Sequence, residues 1–140
     1  VVIGRICKDV PAEKADEVVF GYTAANDLTA RDAQETDGQW ARAKGFDGSC
    51  PLGPWIETEL DPSDLRIASR VDGQTKQDSS TAQMVFSVAE IIAYASAAFT
   101  LLPGDVILTG TPAGVGQVDE GDRIEVEVEG IGTLATVLRR

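Results

Sequence analysis

The segment GDRIEVEVEG, residues 121–130, constrains the fold more than any other stretch of the chain. Ile124, Val126 and Val128 alternate with Glu125, Glu127 and Glu129, and a period of two is the signature of a strand with one apolar and one wet face. Gly130 and Gly132 then interrupt the chain before TLATVLRR, which predicts a last strand after a turn. A second hairpin is written earlier. LRIASRV, Asp72-Gly73 and QTKQDS have the order strand, tight turn, strand.

The other strand signals are shorter. Val1–Cys7 reads as a strand, Phe20–Asp27 as extended chain, and VILTG (106–110) as a buried strand feeding the glycine-rich GTPAGVG. Pro51, Gly53 and Pro54 exclude a central strand in SCPLGPWI. The clearest helix is Ser87–Phe99, where Ser87 and Glu90 form a capping box ahead of an apolar run. PAEKADEVV predicts a short helix with Pro11 at its first position, and Leu28–Gln34 one or two helical turns with Asp27 as N-cap. Glu35–Gly48 reads as a long loop carrying Trp40 and Lys44, and Gln77–Gln83 as a polar loop or a hydroxyl-lined wall. Strands dominate, and the strand–helix alternation of a doubly wound sheet is missing.

A chain of 140 residues fits one domain with a real core. No apolar run approaches the roughly 18 residues of a membrane span; IIAYASAAF reads as a core helix. The net charge of −11, from 23 acidic and 12 basic residues, argues against nucleic-acid binding. Two cysteines do not make a disulfide framework, so a reducing, cytoplasmic setting is expected. Histidine is absent, which removes Ser-His-Asp and Cys-His chemistry and histidine metal sites. VVIG at the start reads as the inside of a strand, from which the chain is expected to be a fragment of something longer.

Carboxylates, lysine, hydroxyls, amides and backbone are left to do any chemistry. In YTAANDLTARD, Asp27 is either a helix N-cap or a ligand for a hard divalent cation. Arg31 can pair with Asp27 at the i, i+4 spacing or grip a substrate carboxylate, and Gln34 in isolation is a surface amide. Lys44 is an exposed lysine or, beside a metal, a proton carrier with a lowered pKa. GTPAGVG lacks the lysine and following helix of a phosphate loop, but its amides and Thr111 can approach an anion.

Three blocks, GYTAANDLTARDAQ, DGQWARAKGFDGSCPLGPWI and QDSSTAQMVFSVAEIIAYASAAFTLLPGDVILTGTPAGVG, resemble the fumarylacetoacetate hydrolase family in order and spacing. The nearest members are similar to 2-hydroxyhepta-2,4-diene-1,7-dioate isomerases and acylpyruvate hydrolases. The resemblance implies a β-rich α+β fold, a mixed β-sandwich roll with one main helix at about 87–99. It also implies a single catalytic domain over 1–140 lacking its N-terminal portion, and a homodimer. Three carboxylates would hold Mg2+ or Mn2+, with Asp27 as the third ligand. Lys44 and Gln34 fall at catalytic positions; Arg31, Gly110 and Thr111 fall at substrate-binding ones. The substrates implied are small 2-oxo or 1,3-dioxo acids, which undergo hydrolysis, decarboxylation or isomerisation through a metal-stabilised enolate. The resemblance also implies a Glu-x-Glu pair immediately upstream of VVIG and a histidine-bearing lid, neither of which these 140 residues supply, so the chain alone is expected to bind metal poorly and to be inactive. The competing expectation is a non-catalytic binding or assembly module of the same fold.

Overall fold

The computed structural model describes residues 1–139. In chain order its strands are β1 (Val2–Ile3), β2 (Val19–Ala25), β3 (Leu52–Glu57), β4 (Arg66–Val71), β5 (Gln74–Ser80), β6 (Arg123–Val128) and β7 (Gly132–Val137). The helices are α1 (Arg31–Thr36), α2 (Ala41–Lys44) and α3 (Val88–Ala98), with 3-10 turns at Ala12–Glu17 and Thr81–Gln83. Two sheets result, β1-β2-β3 and β5-β4-β6-β7, and every pairing described is antiparallel.

The alternation in β6 does what its period predicts. Ile124, Val126 and Val128 are buried, while Glu125 and Glu127 stay partly wet. Val126 and Val128 pack with Ile131 and Leu134 against Ala24 of β2, so one core cluster joins the two sheets. The β4–β5 turn has φ of 49° at Asp72 and 80° at Gly73, the two left-handed residues that a two-residue hairpin loop needs. A second cluster lies under α3, where Ile92 meets Val1, Val10, Ala15 and Val18. Ser96, also fully buried, accepts from the Val10 amide at 2.9 Å, and Lys8 donates to the Ser96 and Ala97 carbonyls at the helix C-terminus.

Local signals misplace several elements, each for a non-local reason. Residues 26–30 stay extended because the amides of Asn26, Leu28 and Ala30 donate to the carbonyls of Pro51, Ser49 and Ala43 at 2.9–3.1 Å. The helix therefore begins at Arg31, its N-cap is Ala30 with no side-chain cap, and Asp27 caps nothing. The expected 35–48 loop contains α2. The expected helix after Pro11 is a 3-10 turn, closed by Lys14 to Pro11 and Val18 to Ala15. The strand expected over Val1–Cys7 shrinks to two residues plus an isolated Cys7–Leu101 bridge, and VILTG supplies only a bridge from Val106 to Val2. β3 does contain Pro54, behind a cis Gly53-Pro54 bond, and lies at a sheet edge as proline requires. Gln77–Gln83 divides between β5 and a 3-10 turn.

Candidate active site

β2 ends at Ala25 and delivers Asn26 and Asp27 just beyond the sheet. In the extended stretch that follows, alternate amides face the 43–51 segment, so Asp27 and Thr29 share the opposite register. Lys44, the last residue of α2, reaches both. Its Nζ donates to the Asp27 carboxylate in a short ion pair and to Thr29 Oγ1 at 3.3 Å.

The platform under this pair is tied at several points. Ser49, 4% exposed, donates its hydroxyl to the Lys44 carbonyl at 2.8 Å, and its own carbonyl accepts from Leu28. Ala43, fully buried, accepts from Ala30. Arg42 grips Asp37 through two hydrogen bonds of 2.9 and 2.6 Å, bracing α2 against the end of α1. Those bonds hold the Asp37 carboxyl below its ordinary range. The Lys44 and Asp27 side chains remain 33% and 42% exposed, and an ion pair so open contributes only about 0.2–1 kcal/mol. Stability is a weak reason to build it; placing an ammonium beside a carboxylate is a better one.

The remaining candidates form two further groups. Arg31 Nη1 donates to Gln34 Oε1 at 2.6 Å across one turn of α1, so Arg31 pairs with Gln34 and not with Asp27. Thr111 accepts from Gln77 Nε2 at 2.7 Å, and Gly110, at φ 112°, takes the left-handed backbone ahead of it. Among the described residues no hydrogen bond or ion pair joins these groups to Asp27 and Lys44.

Sequence reasoning passed over Thr29, Ser49, Cys50 and Gln77. The alternate spacing of Asp27 and Thr29 in an extended stretch was a usable signal for the first. Cys50 is exposed as a residue, yet partial desolvation of its thiol, followed by the negative charge of Asp27, pushes its pKa up. Nothing local marks Ser49, which acts through a carbonyl five residues away.

The implied divalent metal can be weighed against this donor set. Among the described residues there is no group of three His, Cys, Asp or Glu side chains able to hold an ion. Asp27 is a single carboxylate already engaged by Lys44, whereas magnesium asks for near-octahedral oxygen coordination. These residues do not by themselves fit the metal.

Residues 1–139 match the family model described as fumarylacetoacetate (FAA) hydrolase, C-terminal. The chain belongs to the fumarylacetoacetate hydrolase family. It is 52% identical over 143 residues to Protein Rv2993c of Mycobacterium tuberculosis, covering 100% of this chain and 54% of that protein. Among solved structures, 5-carboxymethyl-2-hydroxymuconate delta-isomerase from Mycobacterium smegmatis is 57% identical with a TM-score of 0.94, over 96% of this chain and 53% of that one. Fumarylpyruvate hydrolase from Pseudomonas aeruginosa, in complex with Mn2+ and pyruvate, is 39% identical with a TM-score of 0.90, over 97% of this chain and 61% of that one. The chain thus spans between 53% and 61% of the length of these relatives. The solved relatives are an isomerase and a hydrolase, and the fold is the β-rich α+β arrangement expected of the family. No helix among the described residues is long and apolar enough to cross a membrane.

Proposed function

We propose that this chain is a catalytic-domain portion of a metal-dependent enzyme acting on small 2-oxo or 1,3-dioxo acids. The reaction is hydrolysis of an acylpyruvate, decarboxylation of oxaloacetate, or isomerisation of 2-hydroxyhepta-2,4-diene-1,7-dioate. The observation that carries the reading is the Lys44–Asp27 pair at the end of β2, in a member of this family. Lys44 holds a proton where it can be given to or taken from a bound oxo acid. The Arg31 guanidinium, steadied by Gln34, offers its remaining donors to a substrate carboxylate. Thr111 and the amides around Gly110 take the distal end of the substrate. Asp27 would be one ligand of Mg2+ or Mn2+, and as a single carboxylate it needs further oxygen ligands to complete the set. The whole protein acts in the cytoplasm as a homodimer.

The test is turnover of these three substrates by the full-length protein, with and without added Mg2+ or Mn2+. Metal-dependent turnover that is lost in Asp27→Ala supports the reading; unchanged turnover in Asp27→Ala overturns the ligand assignment. Among the described residues no three His, Cys, Asp or Glu side chains group to hold an ion, which favours a second reading, a non-catalytic binding or assembly module of the same fold. A full-length protein that turns over none of the substrates with either metal supports that module.

A further inference from the structure

Among the described residues, the loop Gly110–Gly116 makes its side-chain hydrogen bonds through one partner, Gln77 of β5. Gln77 faces Ser69 across the β4–β5 pair, and Ser69 in turn faces the buried Val126 on β6. Ser69 Oγ donates to Gln77 Oε1 at 2.7 Å, while Gln77 Nε2 donates to Thr111 Oγ1 at 2.7 Å and to the Pro112 carbonyl at 2.8 Å. A carbonyl only accepts, so Pro112 decides which end of the amide faces the loop.

The backbone beside this pair is shaped for the same contact. Ser69 pairs with Gln77 but Arg70 pairs with Thr75, which leaves Lys76 as the extra residue of a β-bulge. Gly114 lies against that bulge at φ 104°, where a Cβ would stand 2.1 Å from the Lys76 carbonyl oxygen. Bulge, glycine and amide together seat the loop on β5.

We propose that Gln77 is a positioning residue that sets the Thr111 hydroxyl to donate to an acceptor oxygen, carboxylate or carbonyl, of a small acid. The Thr111 oxygen already accepts the Nε2 proton, so its own O–H is left to point outward, and Thr111 is exposed. The inference rests on Thr111 belonging to the substrate site, and the experiment separates the two ideas. In the full-length protein with an acylpyruvate, Thr111→Val, Gln77→Ala and the double variant are compared by KM and kcat. Loss of one hydrogen bond predicts that Gln77→Ala raises KM roughly two- to tenfold with little change in kcat, and that the rise disappears when Thr111 is already valine. Gln77→Glu, whose carboxylate would take the Thr111 proton, raises KM at least as far. If Gln77→Ala does not fold, Gln77→Met carries the same prediction, because it keeps the length of the side chain and removes both amide donors. A KM effect of full size on the Thr111→Val background overturns the positioning role, as does an unchanged KM in Gln77→Ala beside a raised one in Thr111→Val. An unchanged KM in Thr111→Val overturns the substrate assignment itself.

Discussion

Asp27 sits beside two groups that report on it differently. Lys44 is bound to it directly, and the exposed Cys50 thiol feels its charge. Removing that charge favours the thiolate, so Asp27→Asn lowers the pH midpoint of Cys50 alkylation by iodoacetamide, measured with Cys7→Ser in the background. The midpoint stays above the ordinary thiol range because burial, the larger cause, persists. An unmoved midpoint means that Asp27 does not face Cys50. The proton-carrying role proposed for Lys44 demands more than a positive charge. Lys44→Ala is expected to reduce kcat of the full-length enzyme about 10²–10⁴-fold, and Lys44→Arg not to restore it, since a guanidinium keeps the pair but does not release its proton. Full recovery in Lys44→Arg would leave Lys44 as a counter-ion only. These partners were half legible in the sequence. Asp27 stands out at a strand end, but its capping role was wrong because the amides that would define a helix there are taken by residues 43–51.

At the scale of single elements, α3 and the β4–β5 hairpin were readable because their signals are local. The capping box forms as written: Ser87 Oγ accepts from the Glu90 amide at 3.3 Å, and the Glu90 carboxylate accepts from the Ser87 amide at 2.8 Å. Ser87→Ala should therefore cost about 0.5–2 kcal/mol in thermal or denaturant unfolding. The bonds to Ser87 hold the Glu90 carboxyl below its ordinary 4.5. A folded-state pKa that is depressed contributes stability above the unfolded value and loses it as pH falls through the folded one. The difference in Tm between wild type and Glu90→Ala should accordingly be full near neutral pH and shrink as pH drops below 4.5. A difference that stays constant into acid would deny the carboxylate its part in the cap. Weakly readable elements depend on distant partners instead. VILTG has strand composition, yet its neighbour β1 is two residues long, so it gains a bridge and no ladder. β3 has poor strand composition, yet the edge of β2 accepts it.

In the molecule as a whole, β2 links the two cores and the site. Tyr22 packs against both clusters, Ala24 is buried in one, and Asp27 follows three residues later. The family fold and its order of motifs were legible because three long blocks span the chain; the grouping of Asp27 with Lys44, 17 residues apart, required the fold. Charge is the property that belongs to the molecule and to no element. Net charge is −11, and six ion pairs among the described residues engage only a minority of the 23 acidic side chains. Added salt has two opposed effects. It weakens those pairs, which lie at the surface and contribute little individually. It also screens repulsion among the uncompensated carboxylates, as the Debye length falls from about 30 Å at 0.01 M to about 8 Å at 0.15 M. Because unpaired acids outnumber paired ones, screening of repulsion should win. Tm measured by calorimetry or circular dichroism is expected to rise over that salt range at neutral pH, and to rise less at pH 4, where part of the carboxylate charge is already gone. A Tm that falls with salt would show instead that the local pairs at Arg42, Arg66 and Arg70 outweigh the field of the whole chain.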